Sequence, residues 1–255
     1  GSSGSGPGGG QGGTSGRGGG GGYGGRGGWG VYATGAWTLR GGETYGSAAD
    51  PVSPGSGGSA LKHSWAGGGA GGGAVRIEST GTVVVDGWII ADGANALRYS
   101  GGGSGGGIWI SCRQFGGTGG LIRANGGARG DEGGGGGGGR IAVDYTSLTG
   151  TPMVRFETRE APCTLPRGHV AARWPTHWLS GHGTLWFPDS QLVSATLDRF
   201  DGMLLLADAT GWPPDSLTVS NGLVELAGDS FEIDGALTVG RDGVLVLVPD
   251  GPVRV

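Results

Sequence analysis

Three seven-residue glycine blocks constrain this chain more than any other feature. They begin at Gly67 (GGGAGGG), Gly101 (GGGSGGG) and Gly133 (GGGGGGG), 34 and 32 residues apart. An interior glycine costs a helix about 1 kcal/mol, so long helices are excluded across this region. A collagen triple helix needs glycine at every third position, and Gly133 to Gly139 is an unbroken run. Each block leads directly into a β-prone run: Ala74-Val75-Arg76-Ile77, Ile108-Trp109-Ile110-Ser111 and Arg140-Ile141-Ala142-Val143. The first two repeats also share a second half, Asp86 to Gly93 and Gly119 to Gly126, in which apolar residues lie between turn-forming residues. A flexible linker needs no such register. Ordering a glycine costs about 1–2 kcal/mol of backbone entropy, so an ordered block needs a regular compensating structure. An extended helix with three residues per turn supplies one, because glycine alone fits at crowded chain axes. The expectation is an ordered polyglycine II-type bundle, with Gly67, Gly101, Gly133 and Gly139 as structural residues.

The blocks divide the chain. Of the 67 glycines, 56 lie in residues 1–150 and 11 in residues 151–255. From Leu192 onward short apolar runs recur, including Met203–Leu206, Leu217–Val219, Leu223–Leu226, Ala236–Val239 and Val244–Val248, separated by Asp-Gly and Asn-Gly turns. The pattern predicts an all-β chain, a parallel β-solenoid of short strands carrying the polyglycine II-type bundle. Three segments are expected: a glycine-rich repeat region (1–150), a Pro/Trp-rich bridge (151–190) and a short-stranded β-solenoid segment (191–255).

Charge and composition exclude several function classes. The net charge is −4, with 17 basic and 21 acidic residues, and lysine occurs once, at Lys62. Neither half is a polycation, which argues against a nucleic-acid or anionic-membrane partner. No apolar stretch approaches the 18 residues of a membrane-spanning helix. No charged-then-apolar leader is visible, and the close on Val253-Arg254-Val255 reads as a strand cut from something longer. Cys112 and Cys163 could pair or stay free, and their spacing leaves both states open.

Taken in order, GGGAVRI…VDGWIIADG, GGGSGGGIWI…LIRANGG and GGGGGGGRIAVDY resemble the glycine-rich β-helical repeats of bacterial surface proteins, which are adhesin-like or matrix-like. The resemblance implies an exported protein and no catalytic residue.

The motifs that bear chemistry mostly have plainer readings. Arg17-Gly-Gly and Arg26-Gly-Gly, with Tyr23 and Trp29, look like an RNA-binding box, but two arginines in an acidic chain are few. Arg129-Gly130-Asp131 spells an integrin-type tripeptide that also suits a turn, and Asp131 and Glu132 carry oxygen ligands of the kind Ca²⁺ takes. The calcium-binding nonapeptide repeat is absent. His63, His169, His177 and His182 are too scattered for a zinc signature. Asp198, Asp201 and Asp208 could supply the paired carboxylates of a glycoside hydrolase if one face collected them. No P-loop, nucleophile elbow or dinucleotide fingerprint is present. The nine tryptophans are the stronger signal. Trp88 and Trp109, in strand-like runs, are assigned to the core. Trp174, Trp178, Trp186 and Trp212, in or near proline- and turn-rich sequence, are the candidate interface or ligand aromatics.

The leading expectation is a structural extracellular or cell-surface protein, without cofactor or metal, that assembles end to end with copies of itself into a fibre or stalk. An adhesin binding surface glycans is the alternative, and a polysaccharide-active enzyme the third.

Overall fold

The computed structural model describes residues 2–14, 16–31, 38–60, 67–161, 179–228 and 233–249. They contain fifteen strands and no helix. A short antiparallel pair, β1 (Gly30–Val31) and β2 (Thr38–Leu39), precedes the main body. There follow β3 (Ala74–Val84), β4 (Trp88–Ile90), β5 (Gly107–Gly116), β6 (Leu121–Arg123), β7 (Arg140–Leu148) and β8 (Arg155–Glu157). The remainder are β9 (Thr184–Phe187), β10 (Thr196–Leu197), β11 (Phe200–Leu206), β12 (Leu217–Val219), β13 (Gly222–Gly228), β14 (Leu237–Val239) and β15 (Gly243–Pro249).

Ten of these strands form one parallel sheet whose continuous path runs β3-β5-β7-β9-β11-β8-β6-β4, with β13 and β15 added beyond β11. The sheet curls because β11 belongs to both walls. Its Phe200 and Asp201 pair with β8, and its Met203–Leu206 pair with β9. A separate three-stranded parallel sheet, β10-β12-β14, lies beside it. The frame is therefore an open, curled half-barrel, and both the expected β-solenoid of short strands with a polyglycine II-type bundle and its reading as a short-strand repeat are corrected. The physical reason is strand length. The apolar run that marks the first strand ends at Ile77, where Glu78-Ser79-Thr80-Gly81 follow. The strand in fact continues to Val84, 11 residues in all, because the neighbouring parallel strand supplies backbone partners whatever the side chains are.

The core is built from columns of residues in register. One column runs Val75, Ile108, Ile141, Leu185, Leu204, Leu226, Leu247 across seven strands. Its five inner members are buried, whereas Val75 and Leu247 at the ends are only partly so. On the facing wall Ile89, Ile122, Phe156 and Phe200 form a second column. Phe156 stacks on Phe200 at 5.7 Å and meets Phe187 edge-on at 5.1 Å, tying the walls together at the β11 seam.

Apart from Gly107, which opens β5, the glycine runs form no strands; the second and third are buried throughout, whereas in the first only Gly69 and Gly72 are. In the second run the N–H groups turn through three directions in succession. Gly101 and Ser104 donate to the carbonyls of Ser59 and Ser56, Gly102 and Gly105 to Gly134 and Gly137, and Gly103 and Gly106 to Ala94 and Ala91. The N-terminal tract joins them, with Gly134 and Gly137 donating to Gly18 and Gly21. Backbone pairing is what compensates the entropy of ordering these residues.

Candidate functional site

Two features stand out: a charged cluster on the β6-β8-β11 wall, and the free edges of the sheet. The cluster grows from the repeat. Asp92 Oδ1 accepts the N–H of Asn125, and Asn125 Oδ1 accepts the N–H of Arg159, each partner 33 or 34 residues along. Arg123 makes a two-nitrogen contact with Asp92. Glu157 on β8 and Asp201 on β11 are partners in register, and Arg155 and Arg159 bridge them. Burial opposes ionisation of Glu157, but Arg155, Arg159 and Asn125 outweigh it and hold its carboxyl below the usual range. Asp201 is 3% exposed, and there burial prevails over Arg159 and pushes its carboxyl up. Opposed shifts in neighbouring carboxylates can mark an acid and a base. Here guanidinium groups occupy both carboxylates, which is the chemistry of a structural clamp.

Beside the clamp is an open groove of about 390 Å³ lined by Glu160, His182, Asn221 and Asp242 as well as Arg159 and Asp201. His182 Nε2 lies 2.7 Å from Glu160 Oε2. Burial raises the pKa of the nearby Glu225 on β13, with His182 opposing the rise, Glu160 adding to it and Arg26 opposing it. The fold thus favours neutral Glu225. Its contribution to stability is present below the ordinary carboxylate pKa and is lost as pH rises through the raised value. Glu225→Gln should therefore be more stable than the parent at about pH 7 and equal to it at about pH 3.5. Urea midpoints at the two pH values check this, and equal midpoints at neutral pH would contradict it.

The sheet edges are the second feature. Among the described residues, β3 and β4 pair on one side only, as do β14 and β15. Both ends carry exposed apolar side chains: Val84, Trp88 and Ile90 at one, Leu237, Val239 and Val244 at the other. Inward-facing Val75, Ile77, Val83 and Ile89 are half-covered, while their neighbours in register, Ile108, Ile110, Phe115 and Ile122, are fully buried.

The expected site residues are scattered over these features. Trp174 and Trp178 lie outside the described residues, as do His63, His169, His177 and Cys163. Trp186 is half-buried on β9, in register with Ala142 and Leu205. Trp212 packs partly buried against the core. Trp186 thus lies within the sheet, away from its free edges, whereas Pro213 beside Trp212 lines a cleft with Leu237 of β14 and Leu245 and Leu247 of β15. Trp88, assigned to the core, is instead 77% exposed. The signal was in the register, since Trp88 aligns with Leu121 and Ile90 with Arg123, which leaves Ile89 as the inward residue of its strand.

A Cβ at Gly67 would meet no atom of the described residues within 4 Å, whereas Cβ atoms at Gly101, Gly133 and Gly139 would sit 1.9, 2.1 and 2.2 Å from the carbonyl oxygens of Gly19, Ser100 and Gly106. Asp198 neighbours Arg199, Asp201 belongs to the clamp, and Asp208 closes a turn through the N–H of Thr210, so each has its own partner. Gly130 of the Arg-Gly-Asp tripeptide is wedged against Arg98, and Asp131 turns the chain at φ 28°. Arg17 of the first Arg-Gly-Gly pairs with Glu132 and lies over Tyr99. Cys112 is a buried free thiol. Among the described residues no group of three or more His, Cys, Asp or Glu side chains could hold a metal ion, and no helix is long and apolar enough to cross a membrane.

Comparison with family models, curated proteins and solved structures finds no match to this chain, so with the sheet as described the resemblance to glycine-rich β-helical surface repeats does not hold.

Proposed function

We propose that the chain is a structural component of an extracellular or cell-surface assembly, joined edge to edge with further copies into a fibre or stalk. The supporting observation is the seven-strand column, sealed in its middle and open at Val75 and Leu247. Fully burying an exposed aliphatic side chain is worth about 1.5–3 kcal/mol, of which these half-covered ones would gain a part, so a partner at either edge gains both apolar burial and a row of backbone hydrogen bonds. Natural sheets blunt a long edge with lysine, proline or an inward charge. β3 has no lysine, proline or inward charge over its 11 residues; its outward Arg76 and Glu78 and the register shift between Ser79 and Thr82 are its only such devices. Trp88 on the β4 edge supports a second reading, in which that edge meets a surface glycan through an exposed aromatic platform.

Sedimentation velocity and electron microscopy over a concentration series test the proposal. Association into elongated particles is expected, and Trp88→Arg with Val84→Lys should shift it to higher concentration without unfolding the chain. Monomers at every concentration would overturn the structural reading. Trp-dependent retention on a glycan array by such monomers would favour the second.

A further inference from the structure

The partner of the β3 edge follows from a comparison of the two ends. At the β3 end successive levels are 32–34 residues apart and include the glycine layer. At the β15 end they are only 20–22 residues apart. The body therefore tapers, and the β15 edge does not match the β3 edge in perimeter. A second copy of the β3 edge does match in perimeter, because a two-fold axis sets the same patch of both copies face to face.

The charge pattern of β3 is self-complementary under that axis. Two copies of one strand edge related by a two-fold axis run antiparallel. When Ile77 faces Ile77 of the second copy, Arg76 of each faces Glu78 of the other. Both side chains are more than half exposed and 2.7 Å apart within their own strand, with the Arg76 guanidinium also over the Trp109 ring, so a facing pair would complete a four-charge cluster. Pairing centred on Ser79 would instead set Arg76 opposite Thr82. The strand geometry favours the same register. The β3-β5 ladder is regular from Ala74 to Ser79 and shifts between Ser79 and Thr82. A register centred on Ile77 uses the regular part and leaves the irregular part, which resists pairing, at its margin. None of the inward-facing residues Val75, Ile77, Ser79, Gly81 and Val83 is charged, so nothing repels a continuous core.

We infer that β3 is an isologous docking edge, on which a second copy of this chain adds its own β3 antiparallel, with Ile77 on the two-fold axis and Arg76 facing Glu78. The inference rests on the assembly proposal and names the partner of its wider end. Reversing one charge, Arg76→Glu or Glu78→Arg, sets like charges face to face twice and should weaken self-association about ten-fold. The double reversal Arg76→Glu/Glu78→Arg should restore it. Both sites are exposed, so the fold itself should be unaffected. Facing Cα atoms in an antiparallel pair lie about 4.5–5.5 Å apart, within disulfide range, so Ile77→Cys should give an oxidised dimer whose peptide map shows a 77–77 link. Assembly with no 77–77 link and no response to single charge reversal would overturn this pairing while leaving the assembly proposal standing. Monomers at every concentration would overturn both.

Discussion

Gly101→Ala should destabilise the protein by about 3 kcal/mol or more, the upper end of the range for overpacking, while Gly67→Ala leaves it unchanged or slightly more stable. Both residues open a glycine block, and the sequence gives no reason to distinguish them. The structure does. A Cβ at Gly101 would lie 1.9 Å from the Gly19 carbonyl oxygen and 2.4 Å from its carbon, with Gly20 N at 2.8 Å. All three are backbone atoms, so relief requires the N-terminal tract to move away. That movement would strain the bonds by which Gly18, Gly20 and Gly21 join the layer. At Gly67 no atom of the described residues stands in the way, and alanine only restricts the unfolded chain, a gain of about 0.4–1 kcal/mol. Thermal melts separate the two cases, since 1 kcal/mol shifts the midpoint of a chain this size by about 2–4 °C. Equal midpoints for the two variants would mean that the glycine runs are not packed as described.

Phe156→Ala should cost about 3–5 kcal/mol. Phe156 is fully buried and touches three other buried rings, Phe115, Phe187 and Phe200. Its position matters as much as its volume. It stands on β8, whose partner β11 also pairs with β9, so the cavity opens where the two walls of the sheet meet. Phe156→Leu, which keeps most of the apolar volume, should lose far less. Urea unfolding read by intrinsic fluorescence gives both values. A loss below about 1 kcal/mol for the alanine variant would show that the seam does not depend on this ring.

The same contrast governs what could be read in advance. The starts of β3, β5 and β7 were legible within a residue, because a glycine block ends and an apolar run begins at each. Their ends were not, because the residues between Ile77 and Val83 are polar or glycine and owe their extended form to a neighbour 32 or 33 residues away. The exposure of Trp88 was hidden for a related reason. An isolated Trp-Ile-Ile run looks like core, and only pairing with Leu121-Ile122-Arg123 reveals which residues of the run face outward. The clamp of Glu157 and Asp201 was likewise invisible, since its members stand 44 residues apart and meet only because β8 and β11 are adjacent.

By itself, then, the sequence determined the repeat spacing, the absence of long helices among the described residues of the glycine-rich region and the places where strands begin there. These are local consequences of glycine's backbone and of apolar runs that follow it. Only the tertiary structure decided how far the strands extend, how the sheet curls at β11 and which edge is left open. Parallel pairing is made between residues remote in sequence, and its hydrogen bonds leave no mark on the side chains of either strand.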